Sequence, residues 1–90
     1  MFVVVAYDIS NDRRRARLHQ GLKGFGHAVQ YSVFECHVDA GQFKQLQAMV
    51  KRTINRKEDL VRFYRLCAPC HGKIIAINGR DTTPEQTIIV

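Results

Sequence analysis

Apolar residues run unbroken through Phe2-Val3-Val4-Val5-Ala6, and their β-branched density predicts a strand covered on both faces. The period then changes. Ser10 and Asn11 can each cap a helix, Asp12 suits a first turn, and Leu18, Leu22 and Phe25 recur at helical spacing. A helix is therefore expected from about Asn11 to Phe25, closed by Gly24 and Gly26, with Gly21 inside it costing about 1 kcal/mol relative to alanine. From Ala28 to Val38 the pattern alternates. Val29, Tyr31 and Val33 share one face, whereas Phe34, Cys36 and Val38 continue on the opposite phase. That one-residue slip predicts a strand with a β-bulge near Val33-Phe34. Phe43, Leu46, Met49, Val50 and Ile54 then form a helical stripe between Gln42 and Ile54, with Lys44, Lys51 and Arg52 on the other face. Mixed apolar and basic positions over residues 59–67 predict a strand, Lys73 to Ile77 another, Asn78 to Asp81 a turn, and Thr87 to Val90 a terminal strand.

This order places the chain in the α+β class, as the split βαββαβ arrangement of ferredoxin-like domains, an antiparallel sheet with both helices on one face. Ninety residues make one domain, 1–90, of the size that often adds oligomerisation to a small core. The apolar strand over about residues 84–90 is an aggregation hazard unless it pairs, and a second copy of the chain is the simplest partner.

Charge narrows the partners. Fourteen Lys and Arg against eight Asp and Glu, a net charge of +6, call for a polyanion, with nucleic acid ahead of an anionic membrane surface. No apolar run approaches the roughly 20 residues of a membrane span, and the start lacks a secretory pattern, so a cytoplasmic protein is expected. The odd count of three cysteines points to reduced thiols. Cys67-Ala68-Pro69-Cys70-His71 matches the C-x-x-C-H haem-attachment pattern and, with Cys36-His37, offers zinc-type spacing. Haem attachment needs export and an apolar pocket, neither of which the sequence indicates, and a Pro-containing hairpin with free thiols accounts for the same residues. His19 and His27 are read as helix-flanking residues without a role.

Asp8 stands at the carboxyl end of the first strand, followed by Arg13, Arg14, Arg15 and Arg17. Two readings fit. Asp8 caps the turn and the arginines form a solvated face, or a carboxylate on rigid backbone beside an anion-attracting surface serves metal-assisted phosphodiester chemistry.

The run Val3 to Asp8, then Asn11-Asp12-Arg13-Arg14-Arg15-Ala16-Arg17-Leu18, Gly24-Phe25-Gly26 and Gln30-Tyr31-Ser32-Val33-Phe34-Glu35, resembles the small CRISPR-associated endonuclease family, the dimeric partner of the integrase that acquires new spacers. The resemblance implies a ferredoxin-like homodimer whose C-terminal strands join the partner's sheet. It also implies Mg²⁺-dependent (or Mn²⁺-dependent) cleavage of RNA or DNA in some members, and a bridging role in which the dimer holds duplex DNA between integrase subunits. Family residues linked to cleavage fall on Tyr7, Asp8, Arg15, Arg17 and Phe34, and many members carry a basic residue where this chain has Ala28. One aspartate per chain is few ligands for Mg²⁺, so the two Asp8 side chains of a dimer are expected to meet across the two-fold axis. Arg13, Arg14, Arg15 and Arg17 are then the expected phosphate contacts, with Tyr7 and Phe34 packing beside the site.

Overall fold

The strand that opens the chain ends up in the middle of the sheet. The computed structural model describes residues 1–66. They form β1 (Phe2–Asp8), α1 (Asp12–Leu22), β2 (Gly26–Gln30), β3 (Val33–His37), α2 (Ala40–Thr53) and β4 (Leu60–Leu66). The sheet order is β2-β3-β1-β4, with every neighbouring pair antiparallel, which is the ferredoxin-like α+β arrangement. The strands expected over 73–77 and 84–90, the turn over 78–81 and the Cys67 to His71 motif lie outside the described residues.

β1 alternates as its burial demands. Val3, Val5 and Tyr7 pack with Leu18 and Leu22 of α1, Leu46 and Val50 of α2, and Phe34 and Cys36 of β3. Phe2 and Val4 project to the opposite face and are also buried, so the strand is covered on both sides, as its composition predicts.

Both helices carry the caps their sequences offer. Asn11 accepts a hydrogen bond from the Arg14 amide at 2.9 Å and starts α1. Asp39 and Gln42 close a reciprocal capping box at 2.7 and 2.8 Å, so α2 begins at Ala40, two residues before the expected start. α1 ends at Leu22, short of Phe25. Gly26 opens β2 instead of closing the helix, because the β3 backbone passes so near that an added Cβ would overlap the Glu35 carbonyl oxygen and lie 2.7 Å from Cys36 Sγ. Gly21 has a packing reason, since an added Cβ there would sit 2.7 Å from the Met49 sulfur of α2. Among the described residues no helix is long and apolar enough to cross a membrane.

One expectation is corrected. Residues 28–38 are not a single strand. Tyr31-Ser32 reverse the chain, so the slip in hydrophobic phase marks the turn of a β2–β3 hairpin. The bulge lies earlier, where the β2–β3 register shifts between Ala28 and Gln30.

Candidate functional site

The carboxyl end of β1, the start of α1 and the segment entering β4 meet at one end of the sheet, and four arginines of α1 gather there. Helical geometry and distant carboxylates sort those arginines into different tasks.

Asp8 is exposed on the last residue of β1, opposite Leu60 of β4. Its carboxylate makes no hydrogen bond or ion pair with any described residue. The strand that carries it is paired on both edges as far as Ala6 and on the β4 side through Asp8 itself, so the acid sits on ladder backbone. Tyr7, one residue earlier, points to the helix side and is buried. Its hydroxyl lies 3.4 Å from His19 Nδ1 and donates over 3.4 Å to the Tyr31 carbonyl. Burial, helped by Tyr31 and opposed by Arg15, pushes the Tyr7 phenol above its ordinary pKa, so it stays protonated at neutral pH. Tyr7 thus packs beside the site and presents a protonated hydroxyl.

Arg14 and Arg15 are occupied. Arg14 donates to both carboxylate oxygens of Asp59, at 2.7 and 3.1 Å, and to Glu58 at 3.2 Å. The Asp59 side chain is fully buried and also accepts from the Asn55 amide at 2.8 Å, so this fork ties α1 to the loop that delivers Leu60 to Asp8. Arg15 donates to the Ile9 carbonyl at 3.0 Å and the Ser10 carbonyl at 3.5 Å and pairs with Asp12, which fixes the loop immediately after Asp8. Arg13 and Arg17 meet no carboxylate among the described residues. Both are exposed and, four positions apart, share one face of α1. Lys51, Arg52, Arg56 and Lys57, all exposed, extend the positive surface around the end of α2.

The Arg14–Asp59 pair has a pH consequence. Hydrogen bonding to Arg14 holds the Asp59 carboxyl below its ordinary pKa, with the Asn55 amide acting in the same direction. A depressed folded-state pKa stabilises the fold above the unfolded value of about 3.9, and the contribution is lost as pH falls through the folded value. Urea midpoints measured from pH 6 to pH 2.5 should therefore fall more steeply below about pH 4 in wild type than in Asp59→Asn.

Phe34 is fully buried and meets the His19 ring edge-on, with ring centroids 5.0 Å apart. It belongs to the core. His19, to which the sequence alone gave no role, sits one turn after Arg15 on the same α1 face and lines an open cleft of about 410 Å³ with Tyr7, Arg15, Gln30 and Tyr31. That i, i+4 relation to Arg15 is the signal that could have found it. Cys36 is buried, and burial pushes its thiol up to about 11, whereas neighbouring His37 is exposed on the opposite side of the strand. The two do not converge as a ligand pair. Among the described residues no group of three or more His, Cys, Asp or Glu is placed to hold a metal ion. A hard cation that keeps most of its waters needs only one or two carboxylates, and Asp8, exposed and without a partner among the described residues, fits that role as one ligand per chain.

A split βαββαβ sheet that, among the described residues, carries an unpaired acid and two unpaired arginines at one end defines a small ferredoxin-like protein with a basic rim. Residues 1–74 match the family model of CRISPR associated protein Cas2, and the chain belongs to that family. It is 41% identical over 88 residues to CRISPR-associated endoribonuclease Cas2 1 of Chloroflexus aurantiacus, covering 97% of this chain and 92% of the relative. The fold is similar to Streptococcus pyogenes Cas2 crystallised at pH 6.5, at 28% identity and a TM-score of 0.76, covering 87% of this chain and 100% of the other. It is also similar to a chain of a partial Cas6-RT-Cas1–Cas2 complex, at 29% identity and a TM-score of 0.72, covering 87% of this chain and 91% of the other.

Proposed function

We propose that the chain works in CRISPR adaptation as a homodimeric, metal-dependent endonuclease that hydrolyses phosphodiester bonds in RNA or DNA. The observation that carries this reading is Asp8, a carboxylate with no partner among the described residues on a strand paired along both edges, beside Arg13 and Arg17, which meet no acid among the described residues. Asp8 from each of two copies would hold Mg²⁺ (or Mn²⁺), which supplies positive charge to the phosphate and lowers the pKa of water. Arg13 and Arg17 bind and orient the nucleic-acid backbone through phosphate oxygens. Arg15 acts on the Ile9 and Ser10 carbonyls, keeping the loop after Asp8 in place, and the Arg14–Asp59 fork fixes the same end from the β4 side. Relatives named endoribonuclease support the reaction class. The test is cleavage of RNA and DNA by wild type and Asp8→Asn, each with Mg²⁺ and with EDTA; Mg²⁺-dependent activity retained in full by Asp8→Asn overturns it.

A second reading is a duplex-binding scaffold that bridges integrase subunits and needs no metal. It is favoured by the similarity to a chain that assembles with Cas1. Both readings share the arginine face, so one measurement bears on both. Arg13→Ala and Arg17→Ala should each reduce the slope of log affinity against log salt by about one per chain, whereas Arg14→Ala should lower stability with little change in slope. Fluorescence anisotropy with duplex DNA between 50 and 300 mM salt reads the difference.

A further inference from the structure

We propose that the cleft beside Tyr31 receives one unpaired nucleobase of a bound nucleic-acid strand, stacked on the Tyr31 ring. The proposal rests on the reading of α1 as a nucleic-acid-binding helix and names the part of the ligand that the arginines do not explain. Tyr31 stands at the tip of the β2–β3 turn and is 76% exposed, so its ring contributes little to the core and is open to a planar partner. The Arg15 guanidinium lies 5.8 Å from the ring centroid, and its contacts to the Ile9 and Ser10 carbonyls and to Asp12 hold it there as a fixed flank. The cleft beneath, about 410 Å³, falls within the roughly 300–1,000 Å³ typical of small-ligand sites. Ala16 and Ala28 bring only methyl groups to its lining, which leaves the space open. Gln30, Tyr7 and His19 bring an amide, a phenol and an imidazole, the donors and acceptors that a base edge requires.

Position links the cleft to the arginine face. Asp12, Arg15, Ala16 and His19 line the cleft as one stripe of α1, and Arg13 and Arg17 face solvent about a third of a turn further round the helix. A strand held by its phosphates on Arg13 and Arg17 reaches Tyr31 by crossing α1 past Asp12 and Ala16, a path open to an unpaired base that turns away from the strand axis. A base inside a duplex is already stacked on both faces, so the occupant is a base from a single-stranded extension or loop.

The full chain is titrated with a blunt DNA duplex and with the same duplex carrying a 3′ extension containing 2-aminopurine, alongside an RNA counterpart, using anisotropy and 2-aminopurine fluorescence. Wild type should bind the extended duplex about tenfold more tightly than the blunt one and quench its fluorescence. Tyr31→Ala should abolish both differences and leave blunt-duplex binding unchanged, while Tyr31→Phe keeps them. Ala28→Leu, which adds bulk to the cleft lining and keeps Tyr31, should act like Tyr31→Ala. The RNA and DNA arms identify which strand chemistry the cleft prefers. Equal binding of blunt and extended duplexes by wild type, an extension preference that survives Tyr31→Ala, or its loss in Tyr31→Phe each overturns the stacking site. Failure of wild type to bind even the blunt duplex overturns the nucleic-acid reading beneath it.

Discussion

Asp8→Asn should remove the proposed metal-dependent cleavage, by about a hundredfold or more, and should leave the fold and nucleic-acid binding in place. The size follows from the several kcal/mol that a metal contributes to transition-state charge, at 1.36 kcal/mol per tenfold in rate. An amide of the same shape is a much weaker ligand for a hard cation than a carboxylate. The fold survives because Asp8 is exposed and makes no hydrogen bond or ion pair with a described residue, and such surface substitutions usually stay within about 0.5 kcal/mol. Binding survives because the arginines are untouched, and losing a negative charge beside them favours a polyanion. Asp12→Asn is the matched control, since Asp12 already belongs to Arg15, and its effect on rate should be small. EDTA should reduce wild type to the level of Asp8→Asn and leave Asp8→Asn itself unchanged.

Phe34→Ala should cost about 3–5 kcal/mol of stability, the range for truncating a buried aromatic side chain. The whole fold of a chain this size is worth only about 5–13 kcal/mol, so the loss takes roughly a quarter or more of it and should lower the urea midpoint markedly. The ring is fully buried opposite Val5 and meets His19 edge-on, and its removal opens a cavity between the sheet and α1. Phe34→Leu, closer in volume, should recover most of the loss. Any fall in cleavage in Phe34→Ala should then track the fraction unfolded, measured by urea denaturation on the same preparation. A fully folded Phe34→Ala with no activity would instead assign the ring a direct part in the chemistry.

The regular elements are legible in the sequence because their periods are strong. The β-branched run after Met1 can be little other than a covered strand, and Asn11 and the stripe over Phe43 to Ile54 set most of both helices. The β2–β3 turn is hidden because Tyr31-Ser32 carries no Gly, Pro, Asn or Asp, and a tight turn and a bulge shift hydrophobic phase alike. The site divides along similar lines. Asp8 at a strand end is readable from local pattern. Which arginine is free is not, because the acids that occupy Arg14 lie 44 and 45 residues away. Strand alternation alone implies that Tyr7 and Asp8 look in opposite directions, yet their adjacency invites grouping them.

Placing the first-made strand at the centre of the sheet sets a timetable for synthesis. As the chain leaves the ribosome, Val5 must wait for Phe34 on one side and then for Phe63 on the other before its backbone is flanked. Until the second of these arrives, the nascent protein carries an apolar ribbon with a bare edge, and Arg14 has no acid to hold. The end of the sheet that carries Asp8 is therefore assembled late, from segments that emerge far apart in time. A message truncated after α2 would yield a sticky fragment that still displays Asp8 but lacks the β4 segment that fixes it.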